Sequence, residues 1–176
     1  MILLSVGTQL PFDRLVSAVD RWAADHRETE VIAQIGPARY LPRAMTSMAF
    51  IAPDDFAALQ ARATLMISHA GIGSIINAME MGKPIIILPR DHRRGEHRNG
   101  HQLSTAERFA HMPGVYPARD EVHLIELLDR ADDLTAGARL LSQAPQDFCE
   151  KLKTFIAQAR PKPAWRLLLE AMGLAR

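Results

Sequence analysis

The chain has 176 residues, of which 48% are hydrophobic and 23% charged, the balance of a water-soluble globular domain. Lys and Arg total 21 against 20 Asp and Glu, a formal net charge of +1, which excludes nucleic-acid binding driven by bulk charge and leaves local basic patches open. The single cysteine, Cys149, excludes an intrachain disulfide framework and points to a reducing compartment.

A chain of this length buries about 70% of the surface its unfolded form exposes, so one core is expected. No apolar run reaches the roughly 18 residues of a membrane span. The opening Met1-Ile2-Leu3-Leu4-Ser5-Val6-Gly7 carries no charge ahead of its short apolar run, unlike a signal peptide. The expectation is a cytoplasmic protein that reaches membranes only through a partner.

Residues 1–6 form a continuous apolar run ending at Gly7, the pattern of a strand buried on both faces. A helix is predicted over 12–26, with Leu15, Val16, Val19 and Trp22 at helical spacing and Pro11 at its entry. Strands follow at 30–35, closed by Gly36-Pro37, and at 45–51. A helix over 53–63 carries Asp54 and Asp55 in its first turn, where the helix dipole favours anions. Next come a strand at 64–68, a helix over 71–81 ending at Gly82, and a buried strand at 85–88 after Lys83-Pro84. A polar loop spans 89–96. Helix is expected over 97–110, a short strand at 114–116 and a helix over 120–130. From Asp147 onward the pattern is helical, interrupted by Pro161 and Pro163.

Short strands alternating with helices argue an α/β fold, a doubly wound and mostly parallel Rossmann-like sheet with a helical tail. Two parts are expected, 1–145 as the ligand-binding domain and 146–176 as the tail. Ligands of such sheets bind outside the carboxyl ends of the strands, which directs attention to the loops after Val6, Ile51, Ser68 and Leu88.

The most informative segment is Ser68-His69-Ala70-Gly71-Ile72-Gly73-Ser74-Ile75-Ile76-Asn77. It reads as a strand end, a glycine turn and a helix start. Gly71 and Gly73 let a ligand approach the backbone, and the helix start offers free N–H groups and a positive dipole end to a phosphate. Ser74 either caps the helix or donates to a phosphate oxygen, and Asn77 lies one turn further on. The third glycine of a dinucleotide fingerprint is missing and no Walker loop occurs, so a nucleotide-sugar site fits better than either.

The segment 89–102 packs Arg90, Arg93, Arg94 and Arg98 beside His92, His97 and His101. Arginines suit a diphosphate, and His101 and Gln102 supply neutral donors and acceptors. His97 and His101, four apart, also have the spacing of zinc ligands on one helix face, which keeps open a metal-dependent hydrolase using His92, His97 and His101. Near the start, Gly7, Thr8 and Gln9 lie beside the proposed phosphate site. Arg14 has a structural reading, paired with Asp13 or Asp54.

Val-Gly-Thr-Gln-x-Pro-Phe-Asp-Arg-Leu, then Ser-His-Ala-Gly-x-Gly-Ser, Glu-Met-Gly-Lys-Pro and Glu-His-Arg-Asn-x-His-Gln, together resemble the glycosyltransferase family 28 C-terminal-domain family over about residues 1–118. The likeness is to its short stand-alone members, donor-binding subunits of two-component enzymes, and the Arg-rich segment is more like the bacterial exopolysaccharide type. The resemblance implies the donor half of a GT-B glycosyltransferase. It places the backbone around Phe50 and Ile51 against a uracil, Gly71 to Ser74 with His69 at the diphosphate, and Thr8, Gln9 and Arg90 near the phosphates. Asn77 would stand where relatives carry a ribose-binding Glu, and His101 and Gln102 would meet the donor sugar.

The implied donor is a UDP-sugar, with no other cofactor and no metal. The implied partner is a membrane-anchored, acceptor-binding subunit that supplies the general base, so no catalytic residue is assigned here and the chain alone should transfer little. Membrane contact would run through that partner at the cytoplasmic face of the inner membrane. The competing reading is a non-catalytic activator with a vestigial nucleotide site. The tail, with Phe155, Ile156, Trp165, Leu167, Leu168, Leu169 and Met172, would dock on the partner, on a second copy or on its own sheet.

Overall fold

The computed structural model describes residues 1–141 and 143–159. They fall into two compact units, Met1–Leu140 and a second that begins at Leu141, so the division lies a little ahead of residue 145.

The first unit is one six-stranded, fully parallel sheet. Its strands are β1 (Ile2–Ser5), β2 (Val31–Gln34), β3 (Thr46–Met48), β4 (Leu65–His69), β5 (Ile85–Leu88) and β6 (Val115–Pro117), in the spatial order β3-β2-β1-β4-β5-β6. Leu4 lies opposite Ala33 on one side and Ile67 on the other.

Alternation along the strands divides two cores between the faces. Ile2, Leu4, Ile67, Ile86 and Leu88 join one cluster, with Leu15 and Val19 of α1 (Asp13–Asp25) and Leu124 and Leu128 of α5 (Glu121–Leu128). Leu3, Met66, Ile85 and Ile87 join the other, with Ile75 and Ala78 of α3 (Ile72–Met81) and Ala106 of α4 (His101–Phe109); Phe56 and Leu59 of α2 (Pro53–Arg62) pack against it. Helices on both faces explain why these strands read as unbroken apolar runs.

The differences from expectation are local. Strand β3 keeps only Thr46–Met48 of the predicted 45–51, as a mostly exposed edge strand, although Ile35 and Gly36 N–H still donate to Met48 O and Ala49 O. Helix α4 starts at His101, not at 97. Residues 97–100 are held in bends, because Glu96 is drawn to Arg14 and Asn99 Oδ1 accepts from His101 N–H at 3.4 Å. Within the polar loop, His92–Arg94 form a single 3₁₀ turn capped by Asp91, whose Oδ1 accepts from Arg93 N–H.

In the second unit, α6 spans Gln146–Gln158. The remaining tail expectations, around Pro161, Pro163 and Trp165 to Leu174, lie outside the described residues. Among the described residues no helix is long and apolar enough to cross a membrane.

Candidate functional site

The order β3-β2-β1-β4-β5-β6 changes direction between β1 and β4. The chain leaves β1 toward α1 on one face and β4 toward α3 on the other, so the loops splay apart at the carboxyl ends. A crevice at this switch point is where such sheets bind ligands. Two cavities open there. One, about 320 Å³, is lined by Gly7, Thr8, Gln9, His69, His97 and Gln102, with Arg90 in its wall. The other, about 220 Å³, is lined by Ser5, Gln34, Gln60, Ser68, Gly73 and Asn77, with Ser74 at its edge. A larger cavity, about 530 Å³, lies under Trp22 and His26 at the amino ends of β1 and β4, the end of the sheet remote from the glycine loops.

The start of α3 is bare. Gly71 occupies the N-cap position and no side chain caps the helix. Ile75 N–H is the first to find an intrahelical acceptor, Gly71 O at 3.3 Å, and among the described residues the N–H groups of Ile72, Gly73 and Ser74 have none. Ser74 does not cap; its hydroxyl lies 3.0 Å from Ser68 Oγ, which also lies 2.8 Å from Ser5 O. A Cβ added to Gly73 would meet nothing within 4 Å. Unpaired N–H groups at the positive end of a helix are the feature on which anions bind in proteins generally.

His69 is wedged between the two glycine loops. A Cβ at Gly71 would lie 2.5 Å from its Nε2, and one at Gly7 3.4 Å from its Cε1. Burial, helped by the charge of Arg90, pushes the His69 imidazole down to about 4. The ring is therefore neutral at pH 7 and presents one donor and one acceptor without a charge.

Arg90 departs from its expected role. Its side chain is almost wholly buried and its guanidinium donates to Val6 O and Leu10 O, each at 2.8 Å, and to Pro11 O. It also lies over the Phe12 ring, 4.6 Å from the centroid, and its backbone N–H donates to Gln102 Oε1 at 3.0 Å. With its donors turned onto carbonyls, Arg90 shapes the loop 6–11 from behind and is not a free hand for a phosphate.

Two more arginines of the segment are engaged by carboxylates. Arg93 forks onto Asp91, and Arg94 reaches Glu121 at 3.5 Å. Arg14 pairs with neither Asp13 nor Asp54. It grips Glu96 through two bonds of 2.7 and 2.8 Å, and it also reaches Glu121 and Pro89 O. Asp13 instead accepts from Arg39 and Tyr40 N–H.

The histidines separate. His97 lines the larger cavity, whereas His101 is exposed, bonded through Nδ1 to Asn99 and absent from the cavity wall. The late start of α4 leaves residue 97 on the loop that faces Gly7. Burial and the neighbouring His101 lower the His97 pKa. The two rings meet edge-on at 4.4 Å. Among the described residues no group of three His, Cys, Asp or Glu is placed to hold a metal ion.

Around the smaller cavity two buried glutamines, Gln34 and Gln60, were not anticipated. Gln34 Oε1 accepts from Ile51 N–H at 3.0 Å, so that amide is already engaged, while Phe50 is 62% exposed beside it. Gln60 Nε2 donates to Asn77 Oδ1 at 2.7 Å. The signal that could have found both is a polar residue on a buried face, Gln34 closing the apolar run of β2 and Gln60 on the inner side of α2.

The sequence pattern of the glycosyltransferase family 28 C-terminal domain matches residues 1–135. The chain belongs to this family. Among curated relatives, the UDP-N-acetylglucosamine transferase subunit ALG13 of Yarrowia lipolytica is 26% identical over 124 residues, which is 61% of this chain and 59% of that protein's length.

Solved structures share the fold. A solution structure of ALG13 superposes with a TM-score of 0.57 at 20% identity, covering 86% of this chain and 93% of that one. The calicheamicin glycosyltransferase CalG4 superposes with a TM-score of 0.57 at 18% identity over 91% of this chain, but only 44% of its own. The family 28 fold here is thus the Rossmann-like half of a GT-B architecture, with the bare α3 start and the Arg90-braced loop at its carboxyl edge.

Proposed function

We propose that the chain is the UDP-sugar-binding subunit of a hexosyltransferase. With a membrane-anchored, acceptor-binding partner it transfers a sugar to a lipid-linked acceptor in exopolysaccharide biosynthesis, at the cytoplasmic face of the inner membrane. The observation that carries this reading is the uncapped start of α3, where among the described residues the N–H groups of Ile72, Gly73 and Ser74 have no acceptor and Gly73 and Ser74 line the smaller cavity. That the Yarrowia relative is a transferase subunit supports a divided enzyme.

In this reading the pyrophosphate sits on the α3 N-terminus. The nucleoside lies toward the smaller cavity, with Asn77 and Gln60 below it and the backbone of Phe50 above. The sugar enters the larger cavity among Thr8, Gln9, His69, His97 and Gln102. Transfer leaves UDP with added negative charge, and preorganised N–H groups with a helix dipole stabilise that charge as it develops. Neutral His69 hydrogen-bonds to the donor without the cost of a buried cation. The partner supplies the base that takes the proton of the acceptor hydroxyl, and the donor is bound without a metal.

Titration calorimetry with UDP tests the phosphate placement. Gly73→Asp puts a carboxylate at the anion site, and its UDP affinity should fall at least tenfold, by roughly 1.4 kcal/mol or more; equal affinity in the two proteins rejects the site. Transfer assays on the chain co-expressed with its membrane partner, across a panel of UDP-sugars, test the rest. One observation favours the activator reading. Asn77 Oδ1, the acceptor best placed for a ribose hydroxyl, already accepts from Gln60. UDP-sugars that leave the melting temperature of the isolated chain unmoved would favour that activator.

A further inference from the structure

Helix α6 carries an apolar stripe that no part of the donor-site reading uses. Phe148, Leu152, Phe155 and Ile156 recur at helical spacing and are 56%, 46%, 70% and 62% exposed. At roughly 100° per residue these four side chains share one face. Lys151 falls roughly 85° to one side of the centre of that face, with Asp147 roughly 40° further round and 3.8 Å from its ammonium, Lys153 falls roughly 115° to the other side, and Glu150 lies almost diametrically opposite. Apolar residues in the middle, lysines as the nearest charges on both flanks and both acids, Asp147 and Glu150, further round is the charge order of a helix that lies in a lipid–water interface, because lysine stems extend along the apolar layer and lift their ammonium groups to the headgroups.

The charge of the chain is divided in the same sense. Residues 141–176 carry six Lys and Arg against three Asp and Glu, a net of +3, whereas residues 1–140 carry 15 against 17, a net of −2. A second copy of the helix fits this face poorly. The charges nearest the face are both lysine, so symmetric pairing brings like charges together, while Asp147, already 3.8 Å from Lys151, and Glu150 lie further round the helix.

We propose that α6 is an interfacial helix that seats Phe148, Leu152, Phe155 and Ile156 on an anionic bilayer surface, with Lys151 and Lys153 at the headgroups. This contact is direct and separate from any membrane subunit, and it does not depend on the donor-site reading. For a donor subunit of the proposed function, such a contact confines the search for a lipid-linked acceptor to two dimensions.

Vesicle flotation of the full chain tests the proposal, using phosphatidylcholine mixed with phosphatidylglycerol against phosphatidylcholine alone. The chain should float with the anionic vesicles, release as salt is raised, and stay behind with the neutral ones. Phe155→Glu should abolish flotation. Lys151→Gln and Lys153→Gln should each weaken it about fivefold. All these positions are exposed, so the first unit should keep its melting temperature.

A polarity-sensitive fluorophore on Cys149, the only cysteine, which borders the apolar face and is partly exposed, should shift to the blue with anionic vesicles only. A chain that stays in solution with both vesicle types overturns the proposal. So does flotation that is indifferent to lipid charge and to the lysine replacements. Light scattering that shows a dimer dissolved by Phe155→Glu, without vesicle binding, overturns it in favour of a protein contact.

Discussion

The two glycine-bearing loops at the mouth of the sheet are built on opposite principles. The loop after β1 is cross-braced from behind. Arg90 donates to Val6, Leu10 and Pro11 carbonyls, and Arg14 locks Glu96, which itself accepts from Asp91 N–H. The loop after β4 has no side chain across its helix start and leaves its N–H groups open. The contrast separates two uses of polarity. Cations that look like ligand hands are occupied in holding backbone in place, and the helix start proposed to take the anion is made of backbone with almost no side chain. His69 stands between the two and touches both glycine loops.

The largest effect should come from removing the brace. Arg90→Ala leaves carbonyls in a buried wall without donors, and the loss should be about 4 kcal/mol in urea unfolding, with UDP affinity falling as the loop 6–11 loses its shape. A variant as stable as the parent would show that the carbonyls find other partners and that the brace is dispensable.

A smaller effect belongs to His69. Its folded pKa of about 4 lies below the ordinary 6.5. The unfolded chain therefore binds the proton first as pH falls, and stability present above pH 6.5 is lost on descent toward pH 4. The loss is no more than about 3 kcal/mol for a shift of this size. His69→Gln should flatten that limb of the stability–pH curve; a curve unchanged by the substitution would assign the acid sensitivity to other groups.

The finest comparison is between neighbouring glycines. Gly71→Ala drives a Cβ to 2.5 Å from His69 Nε2 and should cost about 1–2 kcal/mol as the ring is displaced. Gly73→Ala has open space and replaces a helical glycine, so it should gain about 0.5–1 kcal/mol while weakening UDP. If both substitutions shift the melting temperature alike, His69 does not pack where the geometry puts it.

Much of the scaffold was readable before the fold was known. Met1 to Val6 and Ile85 to Leu88 announce doubly covered strands because every position but Ser5 is apolar. The 68–77 segment announces a strand end, a glycine turn and a helix start because these are adjacent in sequence, and α3 does begin there with Gly71 at its N-cap. The Arg-rich segment was legible only as composition. Whether Arg90 meets a phosphate or a carbonyl depends on residues 79 to 84 positions away. The choice between His97 and His101 depends on where α4 begins, which Arg14 influences by holding Glu96 from 82 positions earlier. Gln34 and Gln60 were passed over because a lone polar residue on an apolar element acquires meaning only with its partner, Ile51 N–H or Asn77.

The amino-acid order alone therefore determined the alternation of strands and helices, the two-faced core and the glycine turn that opens α3, since each follows from periodicity or from neighbours a few residues apart. Tertiary structure alone decided which charged and polar side chains remain free. Hydrogen bonds and ion pairs form over a few ångströms in space between groups that the chain keeps far apart, and a donor held by one acceptor is withdrawn from every other.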